Sequence, residues 1–190
     1  MSIKILPGTN IEIPRSTRSI RALSSSLFLA GGLSLAQVSG LTNLPPHVLQ
    51  NWVKRGFLPP PLKNQYSAGQ FFRIAIINFL KDSLRIELIV KLIGYVNASL
   101  PGGSGSFMDE AVLYQHFMDA LILTDSDITK LDAALKTALK SFKEPYPGAL
   151  KRLATVIRIM IILYLSSQIK NTAELLLRNI GLLDQQNKEG

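Results

Sequence analysis

Side chains suited to recognition chemistry are concentrated in one short stretch of the sequence, "PHVLQNWVKRG" at residues 46–56. Amide and basic residues recur there at the spacing of one face of an α-helix. They are His47, Gln50, Asn51, Lys54 and Arg55. In the major groove of DNA, Asn or Gln can pair with adenine, and Arg or Lys with guanine. The first four residues are therefore candidates for contacts with base edges, and Arg55 is a candidate for a phosphate contact.

The same stretch contains the residues that would hold this face outward. Its apolar positions repeat at helical spacing, so we expect them to face a core. They are Val48, Leu49, Trp52 and Val53. Pro46 fits the first turn of a helix, where its missing N–H costs nothing, and Gly56 is suited to end the helix. Lys54 and Arg55 have a second interpretation, because cations favour the carboxyl-terminal turn of any helix.

A shorter apolar helix is predicted just before this one. The run "LSLAQVSGL", residues 33–41, places most of its apolar side chains on one side of a two-turn helix. "TNLPP" then breaks the helix, and Asn43 is one of the few non-glycine residues that tolerate a left-handed turn position. Two short helices joined by a tight turn, the second with amide and basic side chains, meet the geometric requirement for reading a major groove.

A hairpin and two further helices are predicted after the second helix. "FLPPPLKNQY", residues 57–66, has apolar or aromatic residues at both ends and a polar tip around Lys63. We interpret it as a small β-hairpin, or wing, in which Lys63 is either a phosphate contact or an ordinary solvated residue. The runs "SAGQFFRIAIINFLKDSL" and "RIELIVKLIGYV" then predict two helices with apolar inner faces. The expected inward residues are Phe71, Ile74, Ile77, Phe79, Leu80, Ile86, Ile89, Leu92 and Ile93.

The order of these parts resembles the winged helix-turn-helix headpiece of the MerR class. The resemblance rests on "LAQVSGLTNLPPHVLQNWVKRGFLPPPLKNQYSAGQFFRIAIINFLKD", which follows the MerR order of apolar helix, turn, helix ending in Trp/Tyr-x-x-Arg-Gly-Leu/Phe, wing, Tyr-Ser and basic-apolar helix. It covers about residues 33–97. A closer resemblance, over about residues 27–180, is to a bacterial family of unknown function with such a headpiece and an all-helical tail. The implied fold is mainly α, with a MerR-like winged helix-turn-helix, a small β wing and an all-α carboxyl-terminal domain.

The MerR resemblance implies two more phosphate contacts, Tyr66 after the wing and Arg73 in the next helix. The sequence also departs from the pattern of that class. Pro45 stands where Ser or Thr usually caps the recognition helix, and Gln50 stands where many members have Arg. The cysteine ligands of metal-sensing members are absent, so the resemblance does not imply metal sensing.

Charge and composition favour a polyanionic partner. The chain has 190 residues, a formal net charge of +8 and no cysteine. In residues 1–66, Glu12 is the only acidic residue against seven Lys and Arg. This imbalance suits nucleic acid or an anionic membrane surface, and it also fits a solvated basic surface without a partner. The lack of cysteine excludes disulfides, thiolate metal sites and thiol nucleophiles, and it suits a reducing cytosol.

No group of residues in the sequence suggests catalysis. There is no nucleophile–base–acid set and no paired-carboxylate pattern, so we expect neither an enzyme nor a bound cofactor. His116 and Asp119 are three residues apart and could share a helix face. Two such residues without cysteine are a weak indication of a metal site, and we expect none.

The chain is predicted to divide into five segments. An amino-terminal arm with a lead-in helix (1–32) precedes the headpiece (33–97), and "SLPGGSGS" marks a linker (98–106). A helical dimerisation or effector domain (107–181) and a short tail (182–190) follow.

Four helices are predicted in the carboxyl-terminal domain, near 108–123, 127–142, 148–170 and 172–180, the last closed by Gly181. The run from Val156 to Leu165 is apolar on most sides and is interrupted by Arg158. It is too short for a membrane span. We therefore predict a buried helix, either inside this domain or across a homodimer interface, and a site for a small-molecule effector in this region stays open.

The segment "SSSLFLAGGLSLAQVSG", residues 24–40, has some features of an export signal. Arginines precede an apolar run, and Ser34-Leu35-Ala36 could serve as a cleavage site. Three serines and the pair Gly31-Gly32 interrupt the apolar run, however, and cleavage would cut the first headpiece helix. We therefore expect a lead-in helix that stops at Gly31-Gly32, and a cytoplasmic protein without membrane association.

Together these observations favour a DNA-binding transcriptional regulator. We expect it to act on double-stranded DNA as a homodimer, with two symmetry-related helices reading two half-sites. The alternative is a protein-interaction adaptor that holds a protein partner on the same helix-turn-helix surface. The adaptor hypothesis predicts only weak, salt-sensitive and unselective DNA binding.

Overall fold

A computed structural model of the protein describes residues 3–13, 20–29, 31–97 and 108–183. These ranges are mainly α-helical and contain one small antiparallel sheet, which confirms the predicted α class. The helices are α1 (Ile20–Leu27), α2 (Leu35–Thr42), α3 (Pro46–Lys54), α4 (Ala68–Leu80), α5 (Ile86–Tyr95), α6 (Glu110–Thr124), α7 (Leu131–Ala138) and α8 (Ala149–Asn179). The strands are β1 (Leu33–Ser34) and β2 (Gln65–Tyr66), and a 3-10 helix (Ile128–Lys130) precedes α7. The predicted linker at 98–106 and residues 184–190 of the predicted tail lie outside the described ranges.

Helix α2 begins two residues later than the sequence pattern predicts. Leu33 pairs with Tyr66, and Ser34 with Gln65, in the antiparallel β1–β2 sheet. Ser34 then caps α2, because its hydroxyl accepts the N–H of Gln37 while the Gln37 side chain accepts the N–H of Ser34. The strand therefore takes the first two residues of the predicted helix.

The turn between α2 and α3 follows the local chemistry of its residues. Asn43 has φ 54° and ends α2 in the predicted left-handed conformation. Pro46 occupies the first turn of α3, and Pro45 supplies no side-chain cap. Trp52 is buried, as predicted, and Gly56 follows the helix at φ 75°. These features confirm the two short helices and the tight turn.

The hairpin predicted at residues 57–66 is present only in part, as a single bridge around its tip, and we keep the name wing for this segment. Leu62 and Gln65 form a β-bridge across Lys63 and Asn64, which have φ 47° and 61°. Two central residues with positive φ are characteristic of the tight turns that match the twist of a hairpin. Beyond this turn, β2 pairs with β1. Tyr66 is therefore the strand partner of Leu33 and does not pair with residues 57–61. The wing therefore has a tight tip and an irregular base.

Helix α4 is the centre of the core. Eight of its residues are buried, namely Gly69, Phe71, Phe72, Ile74, Ala75, Ile76, Ile77 and Leu80. Helices α2, α5, α6 and α8 all pack against it. The buried side chains form one continuous cluster that extends from the headpiece into α6, α7 and α8. The headpiece and the predicted carboxyl-terminal domain thus share a core.

The amino-terminal arm is a hairpin packed into this core. Ile5 and Glu12 form an antiparallel bridge, and Leu6 is buried. At the turn of the hairpin, the hydroxyl of Tyr114 donates a 2.7 Å hydrogen bond to the carbonyl of Pro7. The arm is extended, as predicted, and Leu6 and Pro7 at its turn are buried while Asn10 is exposed.

The arm also holds the helix-turn-helix segment. The Asn78 side chain of α4 donates to the carbonyls of Gly8 and Thr42, both at 2.9 Å. The backbone N–H of Asn10 donates to the carbonyl of Leu41 at 2.9 Å. One side chain of α4 therefore fixes both the arm and the end of α2.

Helix α8 is longer and less buried than the sequence pattern predicts. A single helix of 31 residues replaces the two predicted at 148–170 and 172–180, and it ends before Gly181 at φ 74°. Only its first half is buried, at Ala149, Leu153, Val156, Ile157, Met160 and Ile161. From residue 166 onward, every side chain of the helix is partly or fully exposed. Within one chain the run from Val156 to Leu165 is therefore only partly buried, since Ile162 is 44% exposed, and burial of its second part across a homodimer interface stays a prediction.

Replacing Gly8 by Ala is expected to destabilise the protein. Gly8 has φ 77°, and a Cβ there would overlap the carbonyl oxygen of Ala75. The left-handed backbone and the forced shift of α4 should together lower the free energy of unfolding by about 2–5 kcal/mol. Chemical denaturation of the full chain measures this. Gly94→Ala is the control, because a Cβ there meets nothing within 4 Å, and it should be neutral or stabilising by up to about 1 kcal/mol. Equal stabilities of the two variants would contradict the close packing of the arm.

Candidate nucleic-acid interface

The outer face of α3 presents a row of polar side chains. His47, Gln50, Asn51 and Lys54 are all exposed, as predicted. On the opposite face Leu49 and Trp52 are buried and fix the rotation of the helix about its axis. Because α3 has only nine residues, these four side chains make up most of its solvent-facing surface.

A cleft of about 350 Å³ separates α3 from the wing. Its walls are Leu35, Gln50, Val53, Lys54, Pro61, Asn64 and Tyr66. The cleft brings together three of the residues singled out from the sequence, Gln50, Lys54 and Tyr66. Asn64 joins them and was not identified as a site residue, although an Asn at a hairpin tip was visible in the sequence. The groups facing the cleft are an ammonium, two amides and a phenol, which can all donate hydrogen bonds to an anionic backbone.

Tyr66 is held rigidly at the edge of this cleft. Its ring is only 3% exposed, and its backbone pairs with Leu33 of β1. Burial raises the pKa of the Tyr66 hydroxyl above its ordinary value. A phenol is protonated at physiological pH in either case, so the group can donate a hydrogen bond. Lys63, at the tip of the wing, is exposed.

Arg55 lies at the end of α3 in a loose surface arrangement. Its guanidinium lies 4.7 Å from the centre of the Phe57 ring and 2.9 Å from a carboxylate oxygen of Glu87. Both charged side chains are 53% exposed. Exposed ion pairs contribute little to stability, so a phosphate oxygen could replace the carboxylate of Glu87 at small cost.

Arg73 has a very different environment from Arg55. It donates from Nε to the carbonyl of Phe57 at 2.7 Å, and from Nη1 to Glu110 at 2.6 Å. The two charged side chains are only 17% and 24% exposed. Its charge is thus matched within the protein, where it links α4 to the start of α6. Its role as a phosphate contact stays a prediction of the resemblance, and the geometry gives it a structural role.

The two residues considered as metal ligands do not form a site with other ligands. His116 Nδ1 is buried and has no hydrogen-bond partner in the described part of the chain. Asp119 accepts a hydrogen bond from Gln115 at 2.8 Å. Desolvation lowers the pKa of His116, and Asp119 opposes that shift. Across the ranges that the structure describes, no three His, Cys, Asp or Glu side chains are grouped so that they could hold a metal ion.

Comparison with known families adds one finding. Residues 32–117 match the family model of a domain of unknown function, DUF1836. The match begins at β1 and ends within α6, so it is shorter than the resemblance over 27–180 and does not test the MerR likeness. It contains both partners of the Arg73–Glu110 ion pair. The matched unit therefore includes the headpiece together with the part of α6 that packs on it.

Two further comparisons returned nothing. No curated protein and no solved structure matches the chain significantly. Among the described helices, none is long and apolar enough to cross a membrane.

The two arginine ion pairs should differ in strength. A double-mutant cycle with Arg73→Met and Glu110→Gln is expected to give a coupling energy of about 1–3 kcal/mol, because the pair is mostly shielded from water. The matched cycle with Arg55→Met and Glu87→Gln should give less than about 1 kcal/mol. Denaturant unfolding of the seven proteins (the unmodified chain, four single variants and two double variants) measures both. A stronger coupling at Arg55 than at Arg73 would reverse the roles assigned here.

Proposed function

We propose that this protein is a cytoplasmic DNA-binding transcriptional regulator with a MerR-like winged helix-turn-helix. The observation that carries the proposal is the row of four exposed polar side chains on α3, beside a wing whose tip carries Lys63. A helix of this size fits the major groove, and a wing beside it reaches the flanking backbone. The order of α2, turn, α3, wing and α4 supports the MerR-like assignment.

The residues take distinct roles in this proposal. Asn51, Gln50, His47 and Lys54 are the candidates for base edges, because they occupy the outermost face of α3. Phosphate contacts are assigned to residues beside that face, at the end of α3, at the tip of the wing and in β2. They are Arg55, Lys63 and Tyr66. Arg73 is left out of the DNA contacts, since Glu110 and the Phe57 carbonyl already bind its guanidinium.

The charge distribution supports a nucleic-acid partner over a protein partner. Residues 1–66, which contain α3 and the wing, have a single acidic residue, Glu12. A basic region of this kind attracts a polyanion over long range and raises the rate of association. A protein-interaction adaptor would use the same surface, but it would not require this excess of basic residues.

The end of α8 supports a homodimer. Its apolar side chains are strongly exposed, with Leu176 at 60%, Ile180 at 68% and Leu182 at 71%. Leu175, Leu177 and Leu183 are exposed beside them. Exposed apolar side chains concentrated at one end of a helix are typical of an interaction site. A second copy bound through it would present two α3 helices to DNA, which compensates for the small surface of one nine-residue helix.

Alanine substitution on α3 should weaken DNA binding in two distinguishable ways. Asn51→Ala is expected to reduce the binding free energy that discriminates one base pair by about 1–3 kcal/mol, and so to relax specificity at that base pair. Lys54→Ala combined with Arg55→Ala should weaken binding to all sequences and reduce the slope of log K against log salt, by about 0.9 for each phosphate contact removed. Shift assays on fragments found by genome-wide mapping of bound DNA measure both effects.

The control for this experiment is Lys136→Ala with Lys140→Ala. These two exposed lysines lie in and just after α7. This double variant changes the net charge equally and should leave specific binding unaffected. Unchanged binding by the Lys54/Arg55 variant would refute the DNA-binding assignment. Weak, unselective binding by the unmodified protein would favour the adaptor.

Charged substitutions at the end of α8 should dissociate the dimer. Leu176→Glu with Ile180→Glu is expected to convert a dimer to a monomer without unfolding, because both side chains are already exposed in one copy. Sedimentation velocity measures the mass, and circular dichroism checks the helix content. Leu150→Glu, at the other end of α8 and 38% exposed, is the matched control. A monomeric unmodified protein at micromolar concentration would contradict this interface.

A further inference from the structure

A pocket of about 480 Å³ lies between the amino-terminal arm, the turn after α6 and the middle of α8. We refer to it as the arm pocket. Its walls are Ile3, Lys4, Ile5, Ser126, Tyr164, Leu165, Gln168, Ile169 and Thr172. It is separate from the cleft beside α3, and it shares no residue with the apolar end of α8. Its size falls in the range of small-molecule sites.

The lining of the arm pocket is apolar with a few polar groups at defined places. Ile3, Ile5, Leu165 and Ile169 supply the apolar walls. Among the residues that the structure describes, Lys4 is the only charged one in the lining. A site with one cation and no carboxylate is complementary to a ligand with one negative charge and an apolar body.

Neutral residues that can form hydrogen bonds line the same pocket as Lys4. The hydroxyls of Ser126 and Tyr164 and the side-chain amide of Gln168 make no side-chain hydrogen bond within the described ranges, and all three can donate. The ring of Tyr164 is held edge-on against Phe79 at 6.0 Å and Phe117 at 6.3 Å. The ring of Tyr164 is therefore fixed by the core, and the residue lines the pocket.

The turn that brings Ser126 into the pocket is strained. Asp125 and Ser126 have φ 48° and 60°, two consecutive non-glycine residues in the left-handed region. Such conformations cost free energy, and they persist where the surrounding structure enforces them, often at ligand sites. Here the turn is held by hydrogen bonds from Asp125 N to the carbonyl of Ile122, and from Asp127 N to the carbonyl of Thr124.

We infer that the arm pocket binds a small amphipathic monocarboxylate, with its hydrocarbon part against the isoleucine and leucine walls. Its carboxylate pairs with Lys4 and accepts hydrogen bonds from the uncommitted donors beside it. A single lysine favours a singly charged carboxylate over a doubly charged phosphate. The occupant is therefore neither a nucleotide nor a metal ion.

The arm connects this pocket to the helix-turn-helix. The strand that contributes Ile3 to Ile5 continues into the turn at Pro7 and Gly8, which Tyr114 and Asn78 hold against α6 and α4. After that turn, Asn10 bonds to the Leu41 carbonyl at the end of α2. A ligand that shifts the arm would thus shift α2, and we assign the pocket a regulatory role. This role rests on the proposed DNA binding, whereas ligand binding itself does not.

Isothermal titration of the full chain without DNA tests the ligand assignment. The probes are hexanoate, octanoate and decanoate, with 1-octanol as the uncharged match. Affinity should rise about two- to fourfold for each added CH2 until the pocket is filled. Octanoate should bind more tightly than 1-octanol, with one site per chain. Failure of all three acids to bind at millimolar concentration overturns the inference, as does tighter binding of the alcohol.

Two variants locate the site. Lys4→Gln should weaken octanoate about three- to fivefold and leave 1-octanol within twofold, because only the charge pair is lost. Ile169→Gln, at a side chain that is 72% exposed, should weaken both probes. Lys140→Gln and Ile122→Gln are the matched controls outside the pocket, and both should bind like the unmodified protein. If the variants and the controls lost affinity for the two probes equally, the assignment of the binding site to the arm pocket would be wrong.

A separate measurement tests regulation. Trp52 is the only tryptophan and packs beneath the outer face of α3, so its fluorescence reports on the headpiece. Octanoate should change this fluorescence and the DNA affinity of the unmodified protein, and should change neither in Ile169→Gln. Ligand binding with no effect on Trp52 overturns the regulatory role alone. A change in Trp52 fluorescence in a protein that binds no DNA would sink the proposed function and leave the ligand site standing.

Discussion

The burial of helix α4 is the constraint on which the rest of the structure depends. Its apolar residues from Phe71 to Leu80 face neighbours on nearly every side, and each fully buried side chain contributes about 1.5–3 kcal/mol. The helix has only three polar side chains, and each binds a different neighbouring segment. Gln70 donates to the carbonyls of Pro59 and Pro60 at the base of the wing, Arg73 binds Glu110 of α6, and Asn78 binds the arm and the end of α2. One helix thus fixes the relative positions of the wing, the arm, α2 and α6, and α5 and α8 also pack against it.

This arrangement separates stability from recognition. The wing, α2 and the arm are held by hydrogen bonds from α4, and α3 is held by its buried residues Leu49 and Trp52. None of the side chains on the outer face of α3 is needed for these contacts. Substitution of these side chains would therefore leave the packing contacts intact, so in the proposed function their chemistry can suit a partner without loss of stability. Sites built on rigid supports of this kind hold their geometry without help from the ligand.

The sequence predicted local features well because each has a local physical cause. Asn43 adopts the left-handed position because its short polar side chain tolerates it, and Pro46 begins α3 because it needs no N–H partner there. The rotation of α3 followed from the spacing of Leu49 and Trp52. For the candidate site, the exposed face of α3 was therefore predictable, since it depends on residues within ten positions of one another.

Features that depend on distant residues were not predictable. Arg73 was assigned to phosphate by its place in a motif, but its partner Glu110 is 37 positions away and nothing local indicates the pair. The packing of the arm depends on Tyr114, more than a hundred residues beyond Pro7. The predicted break in α8 also failed, because no proline or glycine interrupts residues 149–179 and helix formation is cooperative.

The apolar pattern of α8 shows why such a helix resists interpretation from sequence. Its first half and its second half both contain several Leu and Ile residues, yet fully buried side chains occur only in the first half. Apolar surface gains about 25 cal/mol for each Å² removed from water, whatever molecule removes it. The apolar content of the two halves therefore does not by itself indicate which half is buried in the fold of one chain. In one copy of the chain the fold buries side chains of the first half, whereas the apolar side chains from Leu175 to Leu183 stay exposed; their burial against a second copy belongs to the proposed function.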